Sequence, residues 1–383
     1  MRIAVIAHAL RTAGGLVVGQ GLIASMIDSA PQHEYCFIVP EMVGYEEICS
    51  RAHGSITHSI PPMNAFQRLN FDLNRIPKLI DPFGPDVVLA LDSGHALRKS
   101  PWPQAIFVHE AHLFYPKRHF GPMTFENRLR HAYLELHFKR SLSSAQVLFV
   151  QTHVVAERIR TKYFYAGEIS VCGAATSTLL QTPIKSQLPM PSKFRPFASR
   201  FKLFYPTRYY PHKNLEQIVE IFRLYRHELS DVVVFLTIDV DQHPNVPSLL
   251  RRIDEWDLAD QVINLGELQH EAIGVYYRHS DGLLMPTLLE TFGIPYIEAM
   301  ELGLPVTTSD VDFAHELCGD AAVYFDPWDT ASIKEAILRL RDDEDLRTEL
   351  TRAGQKRIGN ARSWPDVATE VVEKLEAIAA RPV

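Results

Sequence analysis

Two carboxylates, Glu290 and Glu298, flank a short turn, Thr291-Phe292-Gly293-Ile294, that leads into an apolar helical stretch ended by Gly303 and Pro305. Spacing places Pro295 at the first helical position, where its missing N–H would be unpaired anyway and its φ is already helical. Free amide N–H groups and the positive end of the helix dipole then converge on one point, an anion site suited to a phosphate. A bound phosphate repels carboxylates. Glu290, ahead of the helix, and Glu298, on its first turn, are therefore suited to accept hydrogen bonds from neutral hydroxyls. A phosphate between two hydroxyl-rich groups is the plan of a sugar nucleotide. Taken alone, the two glutamates read equally well as a solvated loop residue and a capping-type carboxylate.

Earlier in the chain the apolar run Phe201–Tyr205 is followed by Arg208, Lys213 and Asn214, with a helix expected from Leu215. A guanidinium that binds bidentately and an ammonium acting as a point charge would together stabilise a departing diphosphate. The plain alternative is a pair of solvated surface cations.

These side chains need a scaffold. Short apolar runs at residues 3–7, 35–39, 87–91, 105–108 and 147–150 alternate with helical stretches such as 15–29. A second set lies at 201–205, 262–266, 282–285, 305–309 and 321–325, followed by a charged helix over 343–358. That alternation predicts mostly parallel sheets covered by helices, with ligands held at the carboxyl ends of strands. The pair Gly14-Gly15 follows the first run across a loop at residues 8–14. The GxGxxG fingerprint of a nicotinamide oxidoreductase is absent and the loop is too long for that turn. Asp92-Ser93-Gly94-His95 and His109-Glu110-Ala111-His112 each follow a strand. HExH lacks the HExxH spacing that puts two histidines on one helical face, so a metal is not expected there. Asp239-Val240-Asp241 and Asp310-Val311-Asp312 are read as chance DxD matches.

At 383 residues, with 46% hydrophobic and 22% charged residues, the chain suits a soluble protein of two cores. A net charge of −7 argues against nucleic acid as a partner. The four cysteines form no CxxC pair, which fits a reducing cytosol without zinc or disulfides. The N-terminal run lacks a small-residue cleavage site and reads as a first strand, and no stretch approaches the ~20 apolar residues of a membrane span. A proline-rich segment at 181–196 marks a domain boundary. Residues 117–140 are exceptional, carrying Lys117, Arg118, Arg128, Arg130, Lys139 and Arg140 interleaved with aromatics, for a local net charge of +4. An anionic membrane surface or an ordinary solvated helix face explains that pattern.

The string E-T-F-G-I-P-x-x-E-A-M-x-x-G-x-P-V, from Glu290 to Val306, resembles the signature of the retaining GT-B glycosyltransferases, GT4-like (glycosyl transferases group 1). The resemblance implies an α/β GT-B fold: two Rossmann-like parallel-sheet domains facing across a cleft. Residues 1–184 would form the acceptor side and 185–364 the donor side, with a C-terminal crossover helix, 365–383, packing back on the first domain. Further matches are the R-x(4)-K-N element at Arg208, Lys213 and Asn214, the loop around Leu268 that lines the base pocket, and Ser363-Trp364 before the last helix. Gly14, Gly15 and His109 resemble the family's glycine pair near the donor phosphate and its histidine at the transferred sugar. A segment ending the first domain has Cys172 where the family has Asn, which removes any side-chain role carried over to that position.

The resemblance implies donor binding by Gly14, Gly15, Arg208, Lys213, Leu268, Glu290, Thr291, Phe292, Gly293, Ile294 and Glu298. His109, Glu290, Arg208 and Lys213 would serve catalysis. The implied reaction is metal-independent, retaining transfer of a hexose from a nucleotide sugar, UDP favoured by family frequency. The acceptor would be a saccharide or lipid-linked molecule, and the implied location is cytoplasmic or peripheral on the inner membrane face through residues 117–140. Competing readings are a GT-B sugar phosphorylase, a nucleotide-sugar epimerase and a non-catalytic sugar-nucleotide binding module.

Overall fold

The computed structural model describes residues 1–91, 97, 100–173, 175, 189–359 and 362–381, and the chain divides into two compact units. Unit 1 comprises residues 1–115, 124–175 and 362–383; unit 2 comprises 116–123 and 176–361. The sequence suggests limits of 1–184, 185–364 and 365–383; by their contacts residues 116–123 group with unit 2 and the C-terminal helix with unit 1.

Unit 1 is built on β1 (Arg2–Ile6), β2 (Glu34–Pro40), β3 (Ile56–Ile60), β4 (Val87–Ala90), β5 (Gln104–Phe107), β6 (Val147–Val150) and β7 (Glu168–Val171). They form one sheet in the order β3-β2-β1-β4-β5-β6-β7, with every pairing parallel. Unit 2 has β8 (Phe201–Tyr205), β9 (Val232–Leu236), β10 (Val262–Asn264), β11 (Gly282–Met285), β12 (Val306–Ser309) and β13 (Ala322–Phe325). Their order is β10-β9-β8-β11-β12-β13, again parallel throughout.

Central strands such as β4, β9 and β11 are buried along their whole length, as strands covered on both faces must be. β3 has no apolar run to announce it, because it is an edge strand with mostly exposed residues. β9 is a plain apolar run absent from the expected set. In each unit the sheet grows one way and then the other, so the direction switches between β1 and β4 and between β8 and β11. In open α/β sheets that switch point, at the carboxyl ends, is where ligands bind.

The last helix, Trp364–Ala379, belongs to unit 1. Ser363 and Asp366 form a capping box at its start. Its apolar face (Trp364, Val367, Val371, Leu375) is buried and packs along the helix Ala13–Ser29. Burying each such aliphatic side chain contributes roughly 1.5–3 kcal/mol. The approach is close: a Cβ on Gly21 would lie 2.6 Å from the Trp364 indole, so only glycine fits. Cys36, Cys49, Cys172 and Cys318 are free and buried. Burial pushes the Cys36 thiol up to about 11 and the Cys49 thiol up to about 12, which leaves them inert as nucleophiles at neutral pH. No helix among the described residues is long and apolar enough to cross a membrane.

Candidate active site

The residues that follow β8 and β11 meet at the switch point of unit 2. After β8 the chain makes one 3-10 turn, Pro211–Lys213. It then passes through Asn214 in the left-handed region (φ 58°) and enters the helix Leu215–Leu224. Asparagine tolerates that conformation, and its side chain donates to the Pro327 carbonyl at 2.9 Å. The Tyr205 hydroxyl, at the end of β8, donates to the Lys213 carbonyl at 3.0 Å. Burial, and then the Glu290 charge, keep that phenol neutral. The Leu288 amide donates to the His212 carbonyl at 2.8 Å and ties the β11 loop to the β8 loop.

The outcome is an ion pair between Lys213 Nζ and Glu290 Oε1, each side chain only 15% exposed. Thr287 Oγ1, fully buried, lies 3.4 Å from the same carboxylate oxygen and 3.3 Å from the His212 carbonyl. A pair this shielded costs more to break by removing one partner than a surface pair does. Arg208 is placed differently. Its Nη1 lies 2.5 Å from Glu267 Oε1, in the loop after β10 that also carries half-buried Leu268, and the two side chains are 31% and 53% exposed. That contact is worth under about 1 kcal/mol.

Beyond Glu290, Gly293 adopts φ 81° and caps the helix Ile294–Glu301 without any side-chain capping bond. Thr291 is half-buried and Phe292 buried. The helix therefore starts one residue earlier than expected. Pro295 is its second residue, tolerated because that N–H is also an orphan, and Glu298 lies beyond the first turn. Glu298 is 5% exposed and its Oε2 accepts from the Tyr277 hydroxyl at 2.9 Å. Burial, and then the Glu298 charge, keep the Tyr277 phenol neutral.

Burial, and then Glu298, push the Glu301 carboxyl from its ordinary 4.5 up to about 7. A raised acid pKa means the folded state binds the proton more tightly, so stability falls as pH rises from about 4.5 to about 7. Glu301→Gln is expected to flatten that part of the stability–pH curve and raise the melting temperature above pH 7. Parallel melting curves for the two proteins from pH 5 to 8 would contradict it.

In unit 1, Gly14 and Gly15 lie inside the first turn of Ala13–Ser29 rather than at a loop end, because Thr12 is the cap. His109 follows β5 and stacks on Phe107 at 4.6 Å. His112 Nδ1 lies 2.6 Å from Glu110 Oε1, a local pair between neighbours. Residues 92–95 lie outside the described residues. Among the described residues no group of three His, Cys, Asp or Glu side chains is placed to hold a metal. Asp239 accepts from the Asp241 amide at 2.9 Å and Asp310 from His315 at 2.6 Å, so both DxD pairs have local partners.

Residues 125–142 of the basic stretch form one helix, Phe125–Leu142. Phe125, Leu129, Tyr133 and Leu136 are 76%, 57%, 37% and 48% exposed, at the spacing of a single helical face. Arg128, Arg130, Lys139 and Arg140 are also exposed.

Tyr205, Thr287 and Tyr277 support the site and were not singled out from sequence, while Glu267 was read only as part of the loop around Leu268 and not as a partner of Arg208. Thr287, a lone hydroxyl within L-L-M-P-T-L-L-E, carries a usable signal; the others are ordinary strand-end, helix and loop residues.

Two doubly wound parallel α/β units, one with a cation–carboxylate pair at its switch point, define a GT-B-type protein. Residues 190–357 match the family described as Glycosyl transferases group 1. It is 26% identical over 254 residues to the O-antigen chain mannosyltransferase B of Escherichia coli, covering 63% of each chain. The chain spans less than two thirds of the length of the curated relatives it matches. The fold matches a sucrose-phosphate synthase from Thermosynechococcus elongatus at TM-score 0.78, with 17% identity and 99% of both chains covered. It also matches Anabaena HepE solved with UDP-glucose, at TM-score 0.73 and 13% identity, over 98% of this chain and 100% of that one.

Proposed function

We propose that the protein transfers a hexosyl unit from a nucleotide sugar to a saccharide or lipid-linked acceptor. The observation that carries this reading is the Lys213–Glu290 pair beside the uncapped start of Ile294–Glu301. Lys213 and the backbone amides of the turn would hold the diphosphate and stabilise it as it leaves, where negative charge develops. Arg208 would exchange its exposed partner Glu267 for phosphate oxygens. Glu290 would turn to the sugar hydroxyls, Glu298 would accept from the ribose, and Leu268 would border the base. In unit 1, His109 is assigned to the transferred sugar and Gly14-Gly15 to the donor phosphate, on the family resemblance.

Retention without a carboxylate nucleophile implies front-side return of the acceptor. The mannosyltransferase relative favours mannose as the sugar, whereas HepE's ligand supports UDP as the carrier. An open cavity of about 270 Å³ in unit 1 has Phe71, Gln67, Asn70 and Arg75 in its lining, a platform with amide and guanidinium donors that suits a sugar ring.

The deciding experiment is a metal-free thermal-shift panel of UDP, GDP, UDP-glucose, GDP-mannose and NAD. A bound ligand raises the melting temperature by mass action, so one nucleotide class should stand out. A shift with NAD alone, or with none, contradicts the reading.

The exposed face of Phe125–Leu142 is proposed to rest on an anionic membrane, its apolar side chains entering the headgroup layer and its arginines and lysines meeting lipid phosphates. Vesicles containing phosphatidylglycerol should carry the protein in flotation, and Phe125→Asp with Leu129→Asp should release it. Equal flotation with phosphatidylcholine alone would contradict the charge argument.

A further inference from the structure

Residues 116–123 leave the sequence of unit 1 and cluster with unit 2. Within unit 2 they touch three of the loops at the carboxyl edge of its sheet. Buried His119 is bonded through Nδ1 to the Leu288 carbonyl, after β11, at 2.8 Å. Its ring meets the edge of Trp328, after β13, with centroids 5.4 Å apart. Gly121, at φ 68°, lies so close to the turn after β8 that a Cβ there would be 2.7 Å from the Pro211 carbonyl oxygen. A carbonyl can only accept, so Nδ1 carries the proton. Nε2 then accepts from Arg118 Nε at 3.2 Å, which fixes one tautomer.

Leu288 stands two residues before Glu290, and Pro211 two before Lys213. The segment therefore holds both loops that bring this ion pair together. We propose that residues 116–123 are a strap that pre-organises the donor site, and that His119 is a positioning residue acting through the Leu288 carbonyl. This rests on the donor-site reading above for its functional consequence, but not for its structural one. A group fixed before the reaction loses little in reorganisation, and small misplacements of a charge-stabilising residue are costly to rate.

The test is amide hydrogen exchange of the unliganded full chain for wild type, His119→Ala and His119→Asn. Asparagine can present an amide donor where Nδ1 stood. In His119→Ala the amides of residues 286–293 should exchange roughly tenfold faster, the loss of about one hydrogen bond, and His119→Asn should recover most of that protection. Unchanged protection in His119→Ala overturns the proposal, as does a loss spread evenly over unit 2, which would make His119 ordinary core packing. Turnover of the donor found by the nucleotide panel should fall about 10- to 100-fold in His119→Ala, with nucleotide Kd changed less. If wild type binds no nucleotide, the donor reading fails while the exchange result still judges the strap.

Discussion

Lys213→Ala is expected to lower turnover of the nucleotide sugar by about 10²–10³-fold, with nucleotide affinity reduced less, because negative charge builds on the leaving diphosphate between the bound donor and the transition state. The structure adds a second component. Lys213 is the ion-pair partner of Glu290 in a site where each side chain is only 15% exposed. Its loss leaves that carboxylate without its counter-charge beside an incoming diphosphate. Lys213→Arg keeps the charge but replaces a compact ammonium with a planar fork, and is expected to recover only part of the rate. Steady-state donor hydrolysis and nucleotide Kd, measured side by side, check this. Turnover in Lys213→Ala within a few-fold of wild type would remove the lysine from the chemistry.

Glu298→Ala carries the second large effect, on binding and on stability together. Its Oε2 accepts the hydroxyl of buried Tyr277. Truncation leaves the phenol only the Pro295 carbonyl, at 3.5 Å, as an acceptor, and an under-satisfied buried group costs up to about 1–3 kcal/mol. Where the ribose also relies on this carboxylate, a hydrogen bond to a charged group worth about 1.5–3 kcal/mol is lost, or about 10- to 100-fold in Kd. Glu298→Gln separates the two: the amide oxygen still accepts from Tyr277, so the melting temperature should stay close to wild type while donor affinity falls. If Glu298→Gln binds the nucleotide sugar as wild type does, the carboxylate serves the fold alone.

Much of this was legible in the residues. Central parallel strands announce themselves because covering both faces forces continuous apolar runs, and β6, β8 and β11 fall where those runs lie. Gly293 was marked as part of a turn, and the structure gives it the left-handed φ of 81° that glycine adopts readily. Edge strand β3 was not legible, since one neighbour and a solvated face leave no pattern to read. The helix start at Ala13 was also missed, because a Thr cap without a side-chain bond gives a weak boundary. Residues 117–140 read equally well as a membrane face or a solvated helix, because periodicity alone does not say which side a helix buries. Only packing showed that Phe125, Leu129, Tyr133 and Leu136 stay outside.

By itself the sequence determined the class of fold and the residue types gathered near Glu290, because local propensity and a short contiguous signature carry that information along the chain. The partners were decided by tertiary structure alone. Lys213 and Glu290 meet because β8 and β11 are neighbours at the point where the sheet reverses its order of growth. Arg208 goes instead to Glu267, since the β8 loop also reaches the β10 loop, and Glu298 is occupied by Tyr277. His119, far from all of them in sequence, reaches Leu288 because an eight-residue segment belongs to the other unit. Contacts between distant segments depend on strand order and loop course, and residue spacing along a chain does not encode those.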